Sequence, residues 1–229
     1  MAIYAIGDLH LSVAAKKPMD IFSGWENHAE KIVENWEKRI RPEDVVVLAG
    51  DTSWGMTLAQ ALPDFRLIDK LPGKKILLKG NHDYWWASAA KMKETFEQNG
   101  LHSLYILHNN SFTVEGIHIC GSRGWMFESG APHDEKLIRR EAMRMDASIR
   151  SVGDATGEKI LFLHYPPLYA GQRLDAFLDV MKQYGIKRCY YGHIHGAGHR
   201  HAIQGEVDGI VFMMISADYV GFDPVLVHA

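Results

Sequence analysis

The chain opens with Ile3-Tyr4-Ala5-Ile6-Gly7-Asp8-Leu9-His10, and this stretch sets the pattern for the rest. Ile3 to Ile6 is apolar, partly β-branched and too short for a helix, which reads as a strand. Gly7 then allows a tight exit, and the next residues offer a carboxylate and an imidazole. The same arrangement recurs along the sequence. Val45 to Ala49 runs into Gly50-Asp51-Thr52, and Lys75 to Leu78 into Gly80-Asn81-His82-Asp83. Ile160 to Leu163 ends at His164, and Arg188 to Tyr191 leads to Gly192-His193-Ile194-His195. Ligands of open α/β sheets gather beyond the carboxyl ends of the strands, so five strand ends point metal-type side chains at one crevice.

Between these units lie helical patterns at Asn27 to Ile40, Thr57 to Leu71, Tyr84 to Asn99, Asp134 to Ser151 and Leu174 to Tyr184. In the first, Ile32, Val33, Trp36 and Ile40 share a face, and Pro42 lies just past the end. Two further stretches read as hairpins. Ser111 to Cys120 turns at Glu115-Gly116, and Ala202 to Ser216 turns near Asp208-Gly209. Alternating units with consecutive hairpins predict a mixed α/β layered domain, not a purely parallel doubly wound sheet. No linker, repeat or charge block divides the chain, so 1–229 is read as one domain. The stretch from about 121 to 151 is read as an insertion that caps the site and shapes substrate choice.

Bulk properties exclude several classes. With 229 residues, 47% hydrophobic and 23% charged, the composition is that of an ordinary globular protein. A formal charge of -3 gives no general attraction to nucleic acid or anionic lipid. No run reaches membrane length and no signal-peptide pattern opens the chain, so the expected location is cytoplasmic. Cys120 and Cys189 lack zinc or redox spacing and are expected to be buried, reduced thiols.

The clustered residues are Asp8, His10, Asp51, Asn81, His164, His193 and His195, a set of oxygen and imidazole ligands without cysteine. Such a set suits Mn, Fe, Zn or a similar divalent ion, and the histidines favour a transition metal over Mg²⁺. Seven ligands exceed what one ion with an open position can use, and they fit two ions that share a bridging carboxylate. Ions about 3.5–4 Å apart lower the pKa of a shared water, hold phosphate oxygens and neutralise charge in an in-line displacement. The leaving alkoxide needs a proton, and His82, beside Asn81, is the best placed donor.

Taken together and in order, Gly7-Asp8-Leu9-His10, Gly50-Asp51-Thr52, Gly80-Asn81-His82-Asp83, His164 and Gly192-His193-Ile194-His195 resemble the signature of the calcineurin-like metallophosphoesterase superfamily. The stretches Gly80 to Trp86 and Gly121 to Trp125 also resemble a group of predicted bacterial phosphohydrolases within it. The resemblance implies two packed mixed β-sheets flanked by helices. It implies one metal on Asp8, His10 and His195, Asp51 as the bridge, and Asn81, His164 and His193 completing the second site. His82 would contact the phosphate and protonate the leaving group, with Asp83 orienting its ring.

Arg123, in the turn after Ile117 to Cys120, is a candidate phosphate clamp beside the substrate-facing Asn81. Trp25, Trp54, Trp85, Trp86 and Trp125 lie near the motif loops. Packing of those loops onto the core is the preferred reading for them, ahead of stacking against a nucleobase. His199 and His201 are read as alternating on a strand, and His28, His102, His108, His118 and His228 as structural or solvated. His133 lies in a Gly/Pro-containing loop within reach of the site. The expected activity is hydrolysis of a small-molecule phosphodiester, nucleotides included. Phosphomonoesterase and protein phosphatase are the alternatives, and a non-catalytic metal-binding scaffold is the remote one.

Overall fold

The computed structural model describes residues 1–125 and 135–229. Its first sheet is built on β1 (Ile3–Ile6), β2 (Val45–Leu48), β3 (Lys74–Leu77) and β4 (Leu104–Ile106), all parallel, with β13 (Val225–His228) antiparallel on the outer edge of β1. The second sheet runs in the order Gly205–Val207, Ile210–Met214, Arg188–Tyr191, Lys159–Leu163, Ile117–Ser122, Ser111–Val114. Here β6 (Ile117–Ser122), β7 (Lys159–Leu163), β10 (Arg188–Tyr191) and β12 (Ile210–Met214) are parallel. The flanking strands β5 (Ser111–Val114) and β11 (Gly205–Val207) are antiparallel partners of β6 and β12. A small hairpin of β8 (Leu168–Tyr169) and β9 (Gln172–Arg173) stands apart.

Two mixed sheets packed face to face explain why the strands read as unbroken apolar runs. In β2, Val45 and Val47 join Ile3, Ala5, Ile76, Ile119, Ile160 and Phe162 in the layer between the sheets. Val46 and Leu48 point the other way, into a core shared with Trp36, Phe65 and Ile68. A strand buried on both faces has no polar alternation to show.

Helices cover the outer faces. The first core includes α1 (His28–Arg39), α2 (Leu58–Lys70) and α3 (Ala89–Gln98), through Ile32, Trp36, Phe65, Ile68, Met92 and Phe96. On the second sheet, α4 (Glu135–Arg150) and α5 (Asp175–Gln183) pack Ile138, Met145, Ile149, Phe177 and Leu178 over Leu161, Leu163, Tyr191 and Phe212. Each fully buried side chain of this size stabilises the fold by roughly 1.5–3 kcal/mol before entropy is counted.

The structure redraws some expected elements. Helix α3 begins at Ala89, not Tyr84, because Trp86 N–H bonds back to Asp83 O at 3.1 Å and Ser88 Oγ caps Lys91 N–H. His199 and His201 lie in a short 3-10 helix over Gly196–His201, not on a strand. Strands β4 and β13 escape the sequence reading because each is a short run whose pairing comes from a distant partner. Of the stretch expected as an insertion at 121–151, Gly121 and Ser122 end β6, and α4 is the crossover from β6 to β7. Residues 126–134, including His133, lie outside the described residues. No helix among the described residues is long and apolar enough to cross a membrane. Cys120 and Cys189 are both free and buried.

Candidate metal centre

All the residues singled out at strand ends reach one end of the two-sheet sandwich. Asp8 and His10 follow β1, Asp51 follows β2, and Asn81, His82 and Asp83 follow β3. From the second sheet come Arg123 after β6, His164 after β7, and His193 and His195 after β10. The sheets are joined at this end by Gly7 N–H to Ile215 O at 2.7 Å and Ala217 N–H to Gly7 O at 3.0 Å. Loop-to-loop bonds continue the parallel pairing past the strands, with Asp8 N–H on Gly50 O and His10 N–H on Asp51 O, both at 2.9 Å.

Four of the ligand candidates sit in the left-handed backbone region: Asp8 (φ 59°), His10 (46°), Asp51 (52°) and His193 (74°). Each such residue costs about 1–3 kcal/mol, and this kind of strain gathers at functional sites. Two glycines make room for the carboxylates. A Cβ on Gly192 would lie 2.5 Å from Asp8 Oδ2, and one on Gly80 would lie 2.7 Å from Asp51 Cγ.

Two sets of ligand atoms converge. Asp8, His10 and His195 offer donors within 4.8 Å of one another, and so do Asp8, Asp51 and His164. His10 Nε2 is 3.3 Å from His195 Nε2, and His195 Nε2 is 3.6 Å from Asp8 Oδ1. Asp8 is common to both sets, and Asp51 Oδ2 lies 3.8 Å from His10 Nε2 of the first and 3.6 Å from His164 Nε2 of its own. Asn81 Oδ1 lies 2.6 Å from His164 Nε2 and 2.9 Å from His193 Nδ1.

Hydrogen bonds fix which imidazole atoms are available. His164 Nδ1–H donates to Ala49 O at 2.9 Å, which leaves the Nε2 lone pair facing Asn81 Oδ1. The two atoms lie close enough together to ligate one cation. His195 Nδ1–H donates to Asp218 at 2.9 Å and turns Nε2 toward Asp8. A carboxylate behind a metal-binding histidine orients the ring and makes it more basic.

The electrostatics fit a cation site equally well. Burial and the Asp8 charge push Asp51 up to about 8. Burial works against Asp8 ionisation, but His195, His164 and His10 outweigh it and hold the carboxyl below its ordinary range. Burial and then His164 push His193 down to about 3, so its imidazole is neutral and able to ligate. His195 is opposed by burial, yet Asp8 and Asp218 raise it to about 10. Without a cation the site holds its charge with protons, on His195 beside Asp8 and on the Asp51 carboxyl, and divalent ions could take the place of those protons.

Asp83 does something other than orient His82. Its Oδ2 accepts from Asp51 N–H (2.9 Å) and Gly80 N–H (2.7 Å), and its Oδ1 from Thr52 N–H (2.9 Å), Ser53 N–H (3.4 Å) and the Trp85 indole (3.0 Å). The carboxylate therefore ties the Asp51 loop to the Asn81 loop, and the expected contact with the His82 ring gives way to this anchoring. His82 is held instead by its backbone N–H on Asp51 Oδ1 at 2.8 Å, and its Nδ1 is buried without a partner. Burial, followed by Lys17 and His164, pushes His82 down to about 4.

Arg123 lies over the Trp125 ring at 4.1 Å and near Tyr165 at 5.8 Å, and its Nε is buried without a partner. Its charge acts on both Asp51 and His164. Lys79, Ser122 and Arg144 share a small pocket with it. Trp85 packs on Phe65 as a core residue, as the preferred reading of the tryptophans has it. Trp25 and Trp54 are buried in the same core, as that reading has it, and their edges also line a cleft with His10, His82 and His195. Sequence reasoning missed Asp218 and Lys17. Asp218 was within reach, because it too follows a strand end, two residues past Ser216. Lys17 carries no such signal.

A sequence profile of the calcineurin-like phosphoesterases matches residues 1–197. The chain belongs to that family. This calcineurin-like phosphoesterase is accordingly a metal-dependent hydrolase of phosphate esters. It is 28% identical to the gene 66 protein of Mycobacterium phage D29 over 169 residues, which is 65% of this chain and 81% of the phage protein. Its fold resembles phosphopantetheinyl hydrolase from Mycobacterium tuberculosis, with a TM-score of 0.57, 14% identity, and 99% and 95% of the two chains covered. It also resembles the TT1561 protein of Thermus thermophilus, with a TM-score of 0.58, 12% identity, and 99% and 97% covered. Asp218 lies beyond the matched residues.

Proposed function

We propose that this calcineurin-like phosphoesterase hydrolyses a small-molecule phosphodiester at a two-metal centre. Asp8, His10 and His195 would hold one ion and Asn81, His164 and His193 the other, with Asp51 available to both. The observation that carries the reading is the position of Asp51 Oδ2, 3.8 Å from His10 Nε2 and 3.6 Å from His164 Nε2. A carboxylate so placed serves both ligand sets. The ligand chemistry selects a first-row ion of the Mn, Fe or Zn type.

When bound, the two ions supply an activated water and neutralise charge on the phosphate. The chain's own residues do the rest. Arg123 offers its guanidinium to phosphate oxygens from the His164 side, in the manner of a bidentate clamp. His82, on the wall of the cleft, gives a proton to the departing oxygen, and because its imidazole is neutral in the free site it takes that proton up only with the anionic phosphate bound beside it. Trp25, Trp54 and Met19 keep water from that side of the site. A cytoplasmic setting fits the two unpaired, buried thiols.

Phosphomonoester hydrolysis is the second reading, and the grouping of Lys79 and Arg144 with Arg123 favours it. A monoester dianion has more charge to neutralise. The test is a paired assay of Mn²⁺-loaded protein on bis(p-nitrophenyl) phosphate and p-nitrophenyl phosphate, with His82→Ala as control. Preference for the bis-ester supports the diester reading. Preference for the monoester replaces it, and loss of bound metal in His82→Ala overturns the division between metal ligands and proton donor.

A further inference from the structure

A cleft of about 430 Å³ opens beside His82 and is walled mainly by Met19, Phe22, Trp25 and Trp54, with His10 and His195 at its base. That volume is within the range of small-molecule sites. The Trp54 indole N–H is used by Met19 Sδ at 3.3 Å. His10 stacks on the Trp54 ring at 4.8 Å, and Trp25 packs edge-on against His195 at 5.5 Å. The Trp54 N–H is therefore not free to meet a ligand in the cleft. Apart from the histidines, Ser23 is the one polar side chain on its described lining. Lys17 Nζ stands 3.3 Å over the Trp54 ring.

The loops around the cleft are also apolar at their surface. Val13 is 60% exposed, Ile21 73%, Phe22 52%, Met56 58% and Tyr84 56%. These make up half of the large exposed apolar side chains among the described residues, and they come from the loops that carry His10, Trp54 and His82. Of these, Phe22 lies on the lining of the cleft itself.

We infer that this cleft takes the leaving group of the substrate, and that this group is an aryl or branched-alkyl alcohol, not a polyol. The inference rests on the proposed hydrolysis and gives it a substrate class. A sugar or glycerol in the cleft would lose water from several hydroxyls and regain few hydrogen bonds, whereas a flat or branched hydrocarbon replaces water at no such loss. Hydrolysis at the centre breaks the bond between phosphorus and the alcohol oxygen. Water supplies the new oxygen on phosphorus, and the alcohol leaves protonated into the cleft.

The test uses the Mn²⁺-loaded protein and two non-hydrolysable probes, (2-naphthyl)methylphosphonate and methylphosphonate, titrated by calorimetry. Hydrolysis of bis(p-nitrophenyl) phosphate is measured on the same samples. Phe22→Asp changes the rim without touching the metal ligands, and Met143→Asp, on the exposed face of α4, is the control. The expected result is naphthyl binding about tenfold or more tighter than methyl binding. Phe22→Asp should remove about tenfold from the naphthyl probe only, and Met143→Asp should change neither. Equal binding of the two probes with hydrolysis intact overturns the leaving-group assignment and leaves the phosphodiesterase reading standing. Selective binding without hydrolysis of any p-nitrophenyl ester overturns that reading, and the leaving-group assignment with it.

Discussion

Replacing Gly80 by alanine should disable the metal centre, while the same change at Gly7 should be nearly silent. The two glycines hold equivalent places, each after a strand and before a ligand, and neither needs a positive φ. They differ in what an added methyl meets. At Gly7 the nearest atom is Ala49 Cβ at 3.4 Å, an ordinary contact. At Gly80 the methyl would stand 2.7 Å from Asp51 Cγ, and reaching 3.4 Å moves that carboxylate by about 0.7 Å. Its Oδ1 and amide nitrogen are closer still. Metal ligands tolerate displacements of only about 0.2 Å. Overpacking of this kind costs about 1–3 kcal/mol, or very roughly 2–12 °C in melting temperature for a chain of this size. Misplacement near 1 Å costs about a hundredfold in rate. Elemental analysis after dialysis against Mn²⁺, thermal unfolding and bis(p-nitrophenyl) phosphate turnover measure the three effects. A Gly80→Ala protein with full metal content and turnover within twofold of wild type would refute the close-approach argument. A Gly7→Ala protein as damaged as Gly80→Ala would show that the turn, not the room, matters.

Asp51→Asn should strip metal and activity together, because it removes a buried carboxylate that lies 3.8 Å from a histidine of one ligand set and 3.6 Å from a histidine of the other. Asp218→Ala should do less. The loss of a supporting partner behind His195 weakens metal binding by roughly 10–100-fold, with turnover near normal once metal is saturating. Metal titration followed by assay separates the two variants, and equal losses in both would contradict the ranking. Lys75 is fully buried, bonded to Leu71 O and, at 3.1 Å, to Ser103 Oγ, and burial lowers it to about 8. The unfolded chain then binds more protons than the folded one between about pH 8 and 10.5, so stability should rise with pH across that window. Thermal melts of metal-free protein should show this rise, and Lys75→Met should flatten it. An equal rise in the variant would assign it to other groups.

Much of the architecture can be read in the sequence because it is local. Short β-branched runs that end at glycine give the strands, and Glu115-Gly116 and Asp208-Gly209 give the two hairpin turns. The boundary of α3 is less legible, because the helix starts where the loop anchored by Asp83 lets it. A three-residue run such as Leu104 to Ile106 is a strand only because β3 is there to pair with it.

By itself the sequence determined the order of strand, glycine and polar ligand, repeated often enough to specify a phosphoesterase. That order lies in residue type and short-range backbone preference. Tertiary structure decided which side chains meet. Asp83 serves the loops of Asp51 and Asn81 instead of its neighbour His82, because the N–H groups of Asp51, Thr52 and Ser53 converge on it from a distant segment. Asp218 reaches back 23 residues to orient His195. Trp25 packs against His195 and Trp54 against His10 while Trp85 packs on Phe65, although all three lie in one core beside motif loops. Residues of the same type at similar places in the chain differ in their surroundings, and packing of distant segments alone sets those surroundings.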